Sequence, residues 1–582
     1  MRISGLLDRP RRFLRRFFID PLAVKELSGI ARRWQLYLGR GIYVGLIGFI
    51  VWIFWNTLTR RGDWMSPSAY AELGHQLFYM FFSMQMAVVT LGGMSAASDM
   101  ITREVRSGTL GLLALTPLTP WRIVAGKWKA ALLQTSTAIL CGIPVLAVCI
   151  YLGGVGLWEL SYSFTLSIVS AALGAALALY CSTIFSASYV ATIAAIISLL
   201  VYCIAPIVLF ALVRAEEPVM TVLCWTHPLY AAAGAAMQGK MGSRFSWGYG
   251  WIGATLSTSV LIHLLLRASA RRVRLLIRRP GGEAAEPASL DDLRRTPVAR
   301  GPRTAKLARF LRGQAGVWER NAILWKELST RRVGAGKAFR IGGALLGFLL
   351  LTTLVSEGWW RVLVLWFSSL ILLLVALANG VSLFVTEREE RKWDILLSTP
   401  LRAREIVLAK LLAGLAGLAP IAGVMACFWC FAALVYDVSL RGTFMTLGAL
   451  ALATLLTYLL AASASLTAKT QRVAFSSAFG LMIAFLFVLP LVLVMLQEYR
   501  IISHNREFAE IFFRCTNPGA YLAYVSEPLS RHKSWDGWRD SLNREELMLV
   551  TMFGTYAAGY STLIIGLVLW MIQRFDRTAG RS

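Results

Sequence analysis

Acidic charge is scarce in this sequence: 59 Lys and Arg face 32 Asp and Glu, and the four types together make up only 16% of 582 residues. A soluble domain carries about a quarter charged residues. No Asp or Glu lies deep within a long apolar run, since Glu72, Glu159, Glu405, Asp437 and Glu545 all fall at run edges. An ion-coupled carrier normally keeps an ionisable group inside the membrane, so that class is the disfavoured alternative. The five histidines, at 75, 227, 263, 504 and 532, are scattered without ligand spacing. An intramembrane enzyme needs converging nucleophile, base or metal ligands, so no catalytic residue and no metal site is expected. A phosphate-cradling loop is missing too. Its pattern is Gly, four residues, then Gly-Lys-Ser or Gly-Lys-Thr, whereas the nearest stretch, Gly334-Ala-Gly336-Lys337, has Arg331 at the first glycine position and Ala338 after the lysine. The cysteines form no disulfide framework, because Cys141, Cys149, Cys181, Cys203, Cys427 and Cys430 lie within apolar runs. Cys427 and Cys430 make a CxxC pair without further ligands. The sequence leaves open a bridge between Cys224 and Cys515, which lie in the two long loops. No cleavable leader is expected, because the first residues lack a short apolar stretch ending in small side chains.

What the chain does have is apolar length. Hydrophobic residues are 57% of it, and a helix crosses the roughly 30 Å hydrocarbon core with about 20 of them. Runs of that kind lie near residues 41–58, 73–97, 123–151, 162–186, 189–210 and 247–266, then near 338–354, 362–385, 406–436, 443–466, 473–496 and 547–572. The expected fold is an all-α integral membrane protein of about 12 transmembrane helices in two pseudo-symmetric six-helix halves. Lys and Arg crowd the stretch before the first run, the connection from Arg267 to Arg340 and the end of the chain. Cytoplasmic flanks carry that excess, so both termini are expected in the cytoplasm, with the loops at 211–246 and 497–546 outside. A net charge of +27 does not require nucleic acid, because span flanks and anionic lipid headgroups account for it. Leu14, Phe17 and Phe18 among arginines read as an amphipathic helix on the membrane surface.

Segments recur at a near-constant offset, as duplication of a six-span unit would leave them. Thr102-Arg-Glu-Val-Arg-Ser-Gly-Thr-Leu-Gly-Leu-Leu-Ala-Leu-Thr-Pro117 aligns with the stretch from Thr386 to Pro400, setting Glu104 on Glu387, Thr116 on Thr399 and Lys127 on Lys410. Lys25-Glu26-Leu27-Ser28 likewise matches Lys326-Glu327-Leu328-Ser329. The expected layout is a first half over residues 1–279, a linker over 280–301 containing Pro280-Gly-Gly-Glu-Ala-Ala-Glu-Pro287, and a second half over 302–582. With an even number of spans each, the halves share orientation, and a pseudo-two-fold axis along the membrane normal is expected. Pro206 and Pro490 fall near the ends of the two fifth runs and are candidate kinks.

The recurring loop segment is amphipathic. Leu110, Leu113 and Ala114, aligned with Trp393, Leu396 and Leu397, give one apolar helical face. Glu104 and Arg106, or Glu387, Arg388 and Glu389, charge its beginning, and Pro117 or Pro400 ends it. An interfacial turn would need nothing more. The pattern nevertheless resembles the type 2 membrane permeases of ATP-binding-cassette (ABC) exporters: Glu104, Gly108, Thr109, Leu112, Leu113, Thr116, Pro117, Leu118 and Lys127 match it, as do Glu387, Arg388, Leu396, Leu397, Thr399, Pro400, Leu401 and Lys410. The second copy departs from it, with Arg391-Lys392 in place of Gly-Thr.

The resemblance implies a coupling helix in each half, docking on a cytoplasmic ATPase, with Lys25 and Glu26, and Lys326 and Glu327, in connecting helices. It implies a permease subunit of an exporter in the cell membrane, multi-pass and not itself an enzyme. ATP and magnesium would bind two separate ATPase subunits, whose closure would drive alternating access. The transported substrate is not legible.

Overall fold

The computed structural model describes residues 24–28, parts of 37–52, 67–213 and 222–232 with short gaps, 250–278, residues 323, 324 and 327, then 360–435 and 440–484 with short gaps, and 544–578. All regular elements among the described residues are helices. In the first unit they are α1 (Pro67–Ala97), α2 (Thr102–Arg106), α3 (Thr109–Ala114), α4 (Pro120–Cys141), α5 (Ile143–Leu152), α6 (Leu157–Ser182), α7 (Ser188–Val213) and α8 (Gly250–Arg278). The second contributes α9 (Trp360–Glu389), α10 (Trp393–Leu397), α11 (Ala403–Val435), α12 (Leu440–Thr467), α13 (Gln471–Ile483) and α14 (Arg544–Thr578). The chain separates into compact units over Met1–Pro287 and Ala288–Ser582.

Among the described residues, eight helical stretches are long and apolar enough to cross a membrane, four in each unit. The chain is thus an all-α, multi-pass membrane protein. Of the other four expected spans, the first and seventh fall largely outside the described residues. The fifth, expected over 189–210, is covered by α7, of which Ser188–Ile204 forms a shorter apolar stretch, and the eleventh is seen in part as α13. The run at 123–151 differs from expectation by dividing into α4 and α5 at Gly142. Pro144 opens α5, and without an N–H it cannot continue the hydrogen-bond ladder of α4.

Within the first unit, α6 is the innermost helix and lies along α1. Tyr79 and Tyr162 join their hydroxyls at 2.9 Å. Farther along, a β-carbon on Gly174 would stand 2.4 Å from the Thr90 carbonyl oxygen, so the two backbones meet where only glycine fits. In the second unit α12 takes the central place. It meets α9 at Gly380, where a β-carbon would lie 2.4 Å from the Tyr458 carbonyl. Edge carboxylates serve helix starts: Glu159 accepts from the Gly156 N–H at 2.9 Å and Glu405 from the Arg402 N–H at 3.0 Å, satisfying donors that a helix leaves open. Cys224 is a free, buried thiol; Cys515 lies outside the described residues.

Candidate functional site

The aligned lysines carry the charge chemistry of each unit. Lys127 and Lys410 sit about two turns into α4 and α11, and each is almost wholly buried. The start of α4 is set locally: Thr119 accepts from the Arg122 N–H and Pro120 takes the first helical position, where its missing N–H costs nothing.

A buried ammonium group needs compensation. Lys127 Nζ donates to Glu104 Oε1 at 2.7 Å and to Glu26 Oε1 at 2.9 Å. Lys410 Nζ donates to Glu327 Oε1 at 2.8 Å, to Glu387 Oε1 at 3.1 Å and to the Leu383 carbonyl at 3.2 Å. Each unit therefore binds the segment before its first expected span, the end of its second and the beginning of its third through one lysine and two glutamates. In the first unit Arg103 adds a fourth charge, 3.3 Å from Glu26 Oε2. Burial pushes the Glu26 carboxyl upward, but the charge and hydrogen bond of Lys127, with Arg103 and Lys25 nearby, outweigh it and hold the group below its ordinary range.

The expected amphipathic helix is built differently in the two units. In the first it is two short helices, because Gly108 adopts the left-handed region at φ 71° between α2 and α3, a conformation glycine takes without steric cost. Leu110 is buried, Leu113 half-buried, and Arg106 and Thr109 are exposed. In the second unit Glu387, Arg388 and Glu389 do not begin a separate helix. They are the last residues of α9, and α10 starts four residues later at Trp393. Leu396 is buried there. The Arg388 guanidinium lies 4.4 Å from the centroid of the Trp393 ring, and the ring of Phe575 in α14 lies 5.6 Å from it. Both segments close alike: Thr116 donates to the Leu113 carbonyl and Thr399 to that of Leu396. Pro117 is exposed just after α3, and Lys25 is exposed beside Glu26. Pro400 and Lys326 lie outside the described residues.

Sequence reasoning overlooked a further connection. The Asp99 carboxylate accepts from the Ser188 hydroxyl at the start of α7, and Thr102 donates to the carbonyls of Ser182 and Phe185 at 3.1 and 3.2 Å. In the second unit Glu389 accepts from the Gln471 N–H at the start of α13, at 2.8 Å, and Arg388 donates to the Ala468 carbonyl at 2.9 Å. The end of the second span is thus tied to the beginning of the fifth in both units. A recurring run of polar residues before each fifth span was the available signal, but Asp99 and Glu389 are not aligned with one another.

Beside these buried charges lie exposed apolar side chains: Leu112 at 65% and Leu115 at 84% in the first unit, and Ile395 at 68% in the second. These side chains lie on or next to the short helices that follow Glu104 and Glu387. A family model described as ABC-2 family transporter protein matches residues 23–273 and again 282–573. No curated protein matches the chain. Two matches that together cover most of the sequence, over two units with the same buried charge triad, establish that this chain belongs to the ABC-2 family of transporter proteins.

Proposed function

We propose that this chain is the membrane permease of an ABC exporter, driven by ATP hydrolysis in two separate ATPase subunits that dock on the segments around α2–α3 and α10. Both termini and both docking segments face the cytoplasm, and the membrane is the cell membrane. ATP and magnesium bind on the partners, whose closure moves the docking segments and alternates access to the pathway. The observation that carries this reading is the repeated triad, Glu26–Lys127–Glu104 and Glu327–Lys410–Glu387. A surface turn gains almost nothing from an exposed ion pair. A segment that must transmit a push gains a rigid base, because a buried, hydrogen-bonded charge cluster resists rearrangement. Leu112, Leu115 and Ile395 then supply the apolar contact for the partner, and Glu104 and Glu387 hold the base instead of touching the partner.

Affinity purification of the full chain from its native membranes tests the proposal. Native mass measurement is expected to find two ATPase subunits per chain, and vesicles holding the complex to hydrolyse ATP. Leu112→Asp with Ile395→Asp is expected to release the ATPase while the chain stays folded. Solute movement driven by a proton or sodium gradient in vesicles without ATP would instead establish an ion-coupled carrier.

A further inference from the structure

The last helix of the first unit, α8, has two unlike faces along its whole length. Ala254, Thr258, Ile262, Leu266, Ser269 and Val273 are buried and form one side. On the other, Leu256, Val260 and Leu264 are 64%, 61% and 57% exposed. Arg267, Arg271 and Arg274, also exposed, fall in the same angular sector of about 80° at 100° per residue. The lipid-facing stripe of this span therefore runs without a turn into a stripe of arginines.

We propose that this stripe is a binding site for anionic phospholipid, whose acyl chains lie along Leu256, Val260 and Leu264 and whose phosphate is taken by Arg267 and Arg271, with Arg274 behind them. At 1.5 Å per residue, Arg267, Arg271 and Arg274 stand about 5, 10 and 15 Å beyond Leu264, directly past the end of the apolar stripe and about where the roughly 20 residues that cross the hydrocarbon core, counted from Gly250, run out. A guanidinium grips phosphate through two parallel N–H bonds. Among the described residues none of the three arginines is paired with a carboxylate, and α8 itself contains no acidic residue. Two simpler explanations fall short. Favourable interaction with the helix dipole is confined to the last turn, and Arg267 lies about three turns before the end of α8. Membrane orientation requires basic residues near a span end but not in one sector that continues the apolar stripe; Arg272, off the stripe, would serve it equally. The corresponding helix of the second unit offers a contrast, since Arg574 and Arg577 flank Asp576 at the end of α14.

Full-length protein purified in an uncharged detergent tests the site, with bound lipid read by native mass measurement and stability by Tm. The parent is expected to retain phosphatidylglycerol over phosphatidylcholine and to gain Tm when it is added. Glycerol 3-phosphate, which has the phosphate but no chains, is expected to do neither. Arg267→Gln/Arg271→Gln/Arg274→Gln is expected to reduce phosphatidylglycerol retention at least about five-fold, and Arg574→Gln/Arg577→Gln less than about two-fold. Equal retention by the parent and the triple variant overturns the site, as does an equal loss in the α14 control. A Tm gain from glycerol 3-phosphate matching that from the lipid overturns it too. Should the triple variant fail to fold, Arg271→Glu decides: a loss of about three-fold or more supports the site, and unchanged retention overturns it.

Discussion

The two units solve one electrostatic problem with different surroundings. Around Lys127 the helix is broken at Gly108, an arginine from α2 joins the cluster, and Glu104 Oε2 is buried without a hydrogen-bond partner among the described residues. Around Lys410 the second span continues as helix to Glu389, a backbone carbonyl takes the third lysine proton, and Trp393 is clasped between Arg388 and Phe575. Common to both are the lysine, its two glutamates and the elements they join. The charge cluster is therefore the constant of the design, and the packing that steadies the adjoining short helix is replaceable.

The sharpest way to break that comparison is to remove the lysines. Lys127→Met and Lys410→Met each leave two largely buried carboxylates facing one another, and removing one partner of a buried ion pair costs about 3–5 kcal/mol. Thermal unfolding in detergent is expected to drop strongly for both. Replacing the buried triad by Glu26→Leu, Lys127→Met and Glu104→Leu, which leaves the half-exposed Arg103 in place, is expected to recover most of that stability without recovering ATPase-linked activity. Recovery of both would reduce the cluster to a packing device.

Next in size is the helix break. Gly108→Ala forces a β-carbon into the left-handed region, at about 1–2 kcal/mol. Apart from its own chain neighbours, no heavy atom of the described residues lies within 4 Å of that β-carbon, so the cost is one of backbone conformation alone. Its mark is expected in hydrogen exchange over 102–116, with the second unit unaffected.

Acid comes third. Glu26 has a lowered pKa, so its ionised form stabilises the fold above the ordinary carboxylate range, and that contribution fades as pH falls through and below that range. Stability of the parent is expected to decline on that acid limb. In Glu26→Gln the decline is expected to be shallower, and equal slopes would remove Glu26 from the cluster's energetics. The smallest effect belongs to Lys392 and Glu390, a pair at 2.7 Å whose side chains are 52% and 50% exposed. Lys392→Ala is expected to change Tm by the equivalent of less than about 1 kcal/mol.

The legible part of this site was what repeats at fixed spacing. Glu104 with Lys127 and Glu387 with Lys410 recur 23 residues apart, and the Lys-Glu-Leu-Ser match flagged Glu26 and Glu327. That these two sets meet was not legible, since spacing along a chain carries no information on which distant segments pack together. The helical spans were readable because the bilayer imposes a length and an apolar composition on each. Their ends were less so: α9 and α14 extend beyond the apolar runs that announced them, carrying Arg388 and Phe575 to Trp393. Asp99 and Ser188 went unnoticed because single small polar residues near a span end are ordinary, and only the fold gives them a partner.

The ties from Asp99 to Ser188 and from Glu389 to Gln471 fasten the end of the second span to the start of the fifth in each unit. Two long rods fastened at neighbouring ends by a charge-assisted hydrogen bond do not slide independently there. Under the proposed function, a displacement applied to either recurring segment would reach the fifth span through that tie as well as through the loop between the fourth and fifth spans.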